Sequence, residues 1–127
     1  MFTTTSELVA DAKGQIENLD VEKTAREIAD GALIVDIREA TERKNTGAIA
    51  GAVHVPRGLL EFKADSTLST HLPDFAPDRR TILYCASGGR SALAVATLKQ
   101  LGYTDVAHLD GGIQAWLATG RPTELTE

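Results

Sequence analysis

The chain of 127 residues has a single cysteine, Cys85, so it has no internal disulfide and carries no sign of an oxidising compartment. It has no surplus of positive charge. Thirteen Lys and Arg against 18 Asp and Glu leave a net charge of -5, which disfavours nucleic acid or an anionic membrane as partner. No apolar run is long enough to span a bilayer, and Met1-Phe-Thr-Thr-Thr-Ser-Glu7 lacks the basic and apolar regions of a secretory signal. The expected location is cytoplasmic. One cysteine and three scattered histidines, His54, His71 and His108, offer no metal-ligand spacing, so neither metal nor cofactor is expected. Repeats, low-complexity tracts and linkers are also missing. What remains, 43% hydrophobic and 24% charged, is ordinary for one globular domain over residues 1–127, large enough to bury a core without staples.

The order of elements predicts an α/β domain. Thr4-Thr-Ser-Glu7 has capping-box spacing, which makes residues 1–14 an N-terminal helix ending near Gly14, or else a mobile arm. Gln15 to Leu19 reads as a brief edge strand, and Asp20 as the N-cap of a helix stopped by Gly31. Ala32-Leu-Ile-Val-Asp-Ile-Arg38 opens with four apolar residues, the pattern of a strand covered on both faces in a parallel sheet. A charged helix-compatible stretch from Glu39 ends at Gly47, and Ala52 to Pro56 is a second short strand. Arg57 to Ala64 is helix-compatible, Ser66 to Arg80 reads mostly as loop, Val106 to Leu109 is a strand, and Ile113 to Thr119 a last helix. Alternating strands and helices imply a mainly parallel sheet with right-handed connections.

The chain is organised around Thr81-Ile-Leu-Tyr-Cys-Ala-Ser-Gly-Gly-Arg-Ser91 and the unbroken run that follows it to Leu101. A short apolar strand ends at Cys85, and a glycine-bearing loop leads into a helix closed by Gly102. The first turn of a helix has backbone N–H groups without intrahelical partners and partial positive charge. Gly88 and Gly89 let the loop curl so that its amides converge on a small anion. Arg90 adds a fixed charge, and no Asp or Glu falls between Cys85 and Ser91. These conditions favour a thiolate nucleophile over an inert buried thiol.

The stretch Cys85-Ala-Ser-Gly-Gly-Arg-Ser91 resembles the active-site loop of rhodanese-like sulfurtransferases. Leu33-Ile-Val-Asp-Ile-Arg38, Gly51-Ala-Val-His-Val-Pro56 and Leu109-Asp-Gly-Gly-Ile-Gln-Ala-Trp116 match the same family in the expected order, so the likeness runs from about Ile16 onward. It implies a five-stranded sheet with helices on both faces. It also implies that Cys85 is the sulfur carrier, that Arg90 is the electrostatic anchor, and that Ala86, Ser87, Gly88 and Gly89 supply backbone donors. Substrates would be small sulfur compounds such as thiosulfate, with cyanide, a thiol or a protein as sulfur acceptor.

Other residues carry less. Asp36 and Arg38 alternate at the end of the first strand and face the same way. They are expected to surround the site or to hold its loop as an ion pair, with Ser91 as a further support. Trp116 and Leu117 are expected in the core, His54 to pack, and Arg57 to be solvated. Two departures from the family are Ala48, where many relatives have histidine, and Ala86, often basic in relatives. The second weakens the positive field at the rim and counts against efficient use of the dianion thiosulfate. Three functions stay open: a sulfurtransferase, a cysteine phosphatase or arsenate reductase, and a non-catalytic binding module. Cysteine phosphatases typically place five residues between cysteine and arginine, whereas four separate Cys85 from Arg90.

Overall fold

The computed structural model describes residues 3–126. The strands are β1 (Glu17–Leu19), β2 (Leu33–Asp36), β3 (Val53–His54), β4 (Thr81–Tyr84) and β5 (Val106–Leu109). They form one five-stranded sheet in the order β1-β5-β4-β2-β3, and every neighbouring pair is parallel. The helices are α1 (Thr5–Lys13), α2 (Val21–Ala29), α3 (Ala40–Thr46), α4 (Leu60–Ala64), α5 (Gly89–Gln100) and α6 (Gly112–Ala118). A 3-10 turn at Arg57–Leu59 leads into α4.

The hydropathy of each strand follows its rank in the sheet. β2, β4 and β5 are buried along their whole length, which is why they read as continuous apolar runs, while β1 exposes Glu17 and Asn18 at an edge. Period-two alternation then divides the core. Leu33, Val35 and Leu83 face Leu60 of α4 and Ala94, Val95 and Leu98 of α5. Ile34, Ile82 and Tyr84 face Val21 of α2 and Ile113 and Trp116 of α6 on the other side. Helices therefore cover both faces, as the family resemblance implied.

The helix ends carry the caps read from the sequence. Glu7 N–H donates to Thr4 Oγ1 at 3.1 Å, and Lys23 N–H to Asp20 Oδ1 at 2.8 Å. Residues Thr5–Lys13 are a docked helix rather than an arm, packed against α5, with Val9 alongside Gly89. One core assignment is corrected: Trp116 is buried, but Leu117 is 39% exposed. The inward stripe of the seven-residue α6 is Gly112, Ile113 and Trp116, and Leu117 lies about 40° beyond Ile113, at the solvent edge of that stripe. Ala48, at the departure from the family, is buried against the C-terminal segment, exchanging two 2.8 Å backbone hydrogen bonds with Glu124.

Candidate active site

Cys85 follows the last residue of the central strand β4, at the carboxyl edge of the sheet where ligands of parallel α/β folds gather. Its side chain is buried, with 1% of the residue exposed. Gly88 has φ +108°, a left-handed value that a side chain opposes, and so turns the loop back into α5. That turn aims two amides at the sulfur: Gly88 N–H donates to Cys85 Sγ at 3.2 Å and Ser91 N–H at 3.4 Å. Of the four loop amides expected to serve as donors, that of Gly88 reaches Sγ itself. Those of Ala86, Ser87 and Gly89 make no hydrogen bond to it in this structure.

The loop keeps this shape because α6 takes its carbonyls. Ile113 N–H donates to Cys85 O at 2.9 Å and Gln114 N–H to Ala86 O at 3.1 Å. With the carbonyls turned toward the start of α6, the amides are left to face inward. The Asp110-Gly-Gly stretch was legible only as part of a family match. Its physical meaning is this close approach of two backbones.

Ser91 contacts the sulfur as well, with Oγ 3.5 Å from Sγ. The same hydroxyl lies 2.8 Å from His108 Nδ1, and His108 Nε2 lies 2.7 Å from Asn18 Oδ1. His108 is fully buried, and burial pushes its imidazole down to about 4. Neither His108 nor Asn18 was singled out from the sequence. No spacing links them to Cys85; parallel register does, since Asn18 pairs with His108 and His108 with Leu83.

The strongest partner of the Arg90 guanidinium is not Cys85, although the nearby sulfur does help to hold Arg90 protonated. It forms a two-pronged ion pair with Glu42 of α3, at 2.9 and 2.8 Å. That pair holds the Glu42 carboxyl down to about 2. The loop itself has no acidic residue, but α3 supplies one across the fold. The signal was present in part: Glu42 caps its own helix, accepting from Glu39 N–H at 2.9 Å, in the spacing of a capping box. At the opposite rim Lys13 pairs with Asp110 at 2.9 Å and holds its carboxyl below the usual range.

Asp36 and Arg38 are both fully buried and form a two-pronged pair at 3.0 and 2.8 Å. Arg38 also donates to Thr46 Oγ1 at 2.7 Å and Gly47 O at 2.8 Å, and Arg43 reaches Asp36 Oδ2 at 3.1 Å. The hydroxyl of Tyr84 donates to Asp36 Oδ2 at 2.7 Å and accepts from Ile49 N–H at 3.1 Å. No hydrogen bond runs from this network to Sγ. It reaches the site through Tyr84, whose backbone leads directly into Cys85. His54 Nε2 bonds Arg38 O at 2.7 Å, His71 Nε2 bonds Phe75 O at 3.0 Å, and Arg57 pairs with Glu61 at 2.8 Å. Among the described residues no group of three or more His, Cys, Asp or Glu is placed to hold a metal ion, and no helix is long and apolar enough to cross a membrane.

Comparison with known proteins agrees with this geometry. The sequence model of the Rhodanese-like domain family matches residues 20–119. A sulfurtransferase of Allochromatium vinosum is 35% identical over 114 residues, covering 88% of this chain and 98% of that protein. Thiosulfate sulfurtransferase GlpE of Pseudomonas putida is 36% identical over 90 residues, covering 71% of this chain and 74% of GlpE. Among solved structures, a protein of unknown function from Rhodopseudomonas palustris, described as a possible tyrosine phosphatase, superposes with a TM-score of 0.90 at 35% identity, covering 98% of this chain and 96% of that one. The chain belongs to the rhodanese-like sulfurtransferase family.

Proposed function

We propose that the protein carries sulfane sulfur as a persulfide on Cys85. In this reading the Cys85 thiolate attacks the outer sulfur of a donor, the donor's bond to that sulfur breaks, and the leaving group departs with the electron pair. A nucleophilic acceptor then takes the outer sulfur and the thiolate is restored. The observation that carries the reading is the pair of amides, Gly88 and Ser91, at 3.2 and 3.4 Å from a buried sulfur. We assign the amides of Ala86, Ser87 and Gly89, which Sγ does not use, to the outer sulfur and to a departing anion. Thiosulfate is a donor of this kind, and cyanide or a thiol an acceptor. A binding module that kept only the fold has no use for a sulfur so arranged.

Donor preference follows from charge at the rim. Ala86 brings no cation, Glu42 pairs with Arg90, and Asp110 pairs with Lys13. A dianion meets a weaker field here than an unpaired arginine would create, so we place monoanionic persulfides ahead of thiosulfate.

The phosphatase reading has one observation in its favour, the close likeness to a chain described as a possible tyrosine phosphatase. Against it stand the four-residue spacing of Cys85 and Arg90 and the lack of a proton donor. The two carboxyls that reach the loop, Glu42 and Asp110, are both held ionised by their ion pairs. The test runs sulfur transfer and aryl phosphate hydrolysis side by side on wild type and Cys85→Ser. Transfer from at least one sulfane donor that vanishes in the serine variant, with no phosphate release, is expected. Phosphate release by wild type that vanishes in Cys85→Ser reverses the ranking.

A further inference from the structure

We infer that His108, acting through the hydroxyl of Ser91, stores the proton of the Cys85 thiol while the sulfur is anionic, with Asn18 fixing the imidazole that receives it. His108 is thus a positioning residue with a proton-holding role. The inference rests on the sulfurtransferase reading only for the use made of the anion.

The hydrogen bonds leave little freedom in where the protons lie. Asn18 Nδ2 donates to Lys13 O at 2.9 Å and Ile16 O at 3.2 Å, so its Oδ1 is the atom facing His108 Nε2 at 2.7 Å. Nε2 therefore carries hydrogen, and in the neutral ring Nδ1 carries a lone pair. The Ser91 hydroxyl, 2.8 Å away, donates to it, and the Ser91 oxygen accepts S–H from Cys85 at 3.5 Å. The Ser91 hydroxyl has a second acceptor in its own turn, Gly88 O at 3.3 Å, but the contact to His108 Nδ1 is the shorter by half an ångström.

A second arrangement joins the same four side chains. The S–H bond breaks and its proton joins Ser91 Oγ, while the hydroxyl's original proton passes to His108 Nδ1. The imidazolium then donates to Ser91 Oγ, the hydroxyl donates to the thiolate, and Asn18 keeps its bond. One proton is moved in net, no heavy atom must shift, and the negative sulfur gains a positive partner inside the same buried site. When the thiolate takes a sulfur from a donor, the persulfide anion keeps that partner. When an acceptor removes the sulfur, the proton returns by the same route.

The groups around the ring set the balance. Burial is the main influence on His108, keeping it neutral beside a neutral thiol. Asp110, from the turn after β5, favours the imidazolium, and Lys13 of α1 opposes it. β1 presents the neutral Asn18, and α5 presents Ser91 and Arg90, whose guanidinium is paired with Glu42 and also lies near Cys85. Within the hydrogen-bonded chain itself, the charge that can offset burial of the imidazolium is that of the sulfur anion.

The test needs no sulfur donor. Alkylation of Cys85 by iodoacetamide is followed against pH in wild type, His108→Asn, Ser91→Ala and the double variant. Asparagine can accept from Ser91 but cannot take its proton. We expect His108→Asn to move the profile to higher pH and to slow alkylation at pH 7 by about tenfold, with the double variant no slower than the slower single one. Equal rates in wild type and His108→Asn, or additive losses, overturn the relay. On wild type, the nitrogen resonance of His108 Nδ1 is compared before and after capping Cys85. As pH is raised through the range in which Cys85 becomes alkylatable, the uncapped protein should show the shift of the imidazolium and the capped protein the neutral ring throughout, and identical resonances in the two overturn the proposal even where variants fail to fold. A protein that transfers no sulfur yet shows this coupling keeps the relay and loses the proposed activity.

Discussion

Gly112 stands so close to Cys85 that a methyl group on its Cα would lie 2.5 Å from the Cys85 carbonyl oxygen and 2.6 Å from the Ala86 carbonyl. Its φ of +58° adds a left-handed strain for any side chain. This contact brings α6 against the loop and turns the loop carbonyls away from Sγ. Gly112→Ala should lower stability by about 3 kcal/mol, the scale of a backbone clash added to a left-handed alanine. Transfer should fall more steeply than the folded fraction, because loop amides displaced from Sγ no longer stabilise its charge. Thermal melts and single-turnover sulfur loading on the same sample separate the two.

Glu42→Gln should release the Arg90 guanidinium while keeping the side chain's shape. A cation freed at the rim draws a dianion, so kcat/KM for thiosulfate should rise several-fold at low salt and fall back toward wild type as salt is added. A monoanionic persulfide donor should gain less. Arg90→Ala should lower turnover with every donor.

Acid should weaken the fold in two windows. His108 titrates near 6.5 in the unfolded chain and about 4 in the folded protein, so between these values the unfolded chain binds more protons. The stability it contributes is complete above about pH 6.5 and drains as pH falls toward 4, by up to about 3 kcal/mol. Glu42, held to about 2 by Arg90, loses its contribution lower, between its ordinary 4.5 and about 2. Denaturant midpoints across pH should show the first slope flattened in His108→Asn and the second in Glu42→Gln.

Tyr84→Phe should cost about 1–3 kcal/mol, because Ile49 N–H then loses its buried acceptor and Asp36 one of its donors. Chemistry at Sγ should be little changed per folded molecule. A loss of transfer in a fully folded Tyr84→Phe would give the Asp36 network a direct part in the reaction.

The strand, loop and helix around Cys85 were legible in the sequence because their chemistry is local. A strand end, a glycine turn and a helix start are neighbours in the chain. The parallel sheet was legible for the same reason, from buried runs of four residues. The partners brought by topology were not. Glu42 reaches Arg90 from 48 positions away, and Asn18 reaches His108 from 90. Arg90 therefore read as an uncompensated charge and His108 as a strand residue. Asp36 and Arg38 sat between the two cases: their spacing showed that they share a face, but only the fold shows Tyr84, Thr46 and Gly47 as the groups they hold. Leu117 was misplaced because a single apolar pair near a helix end does not reveal which member points inward.

The measurement that tests the central claim most directly is the intact mass of the protein after incubation with a sulfane donor, thiosulfate or a small persulfide, in wild type and Cys85→Ser. Because Cys85 is the sole thiol, wild type should gain one sulfur atom, lose it on addition of cyanide or a thiol, and Cys85→Ser should gain none. A wild-type mass unmoved by every donor, or sulfur carried equally by the serine variant, would contradict the persulfide account.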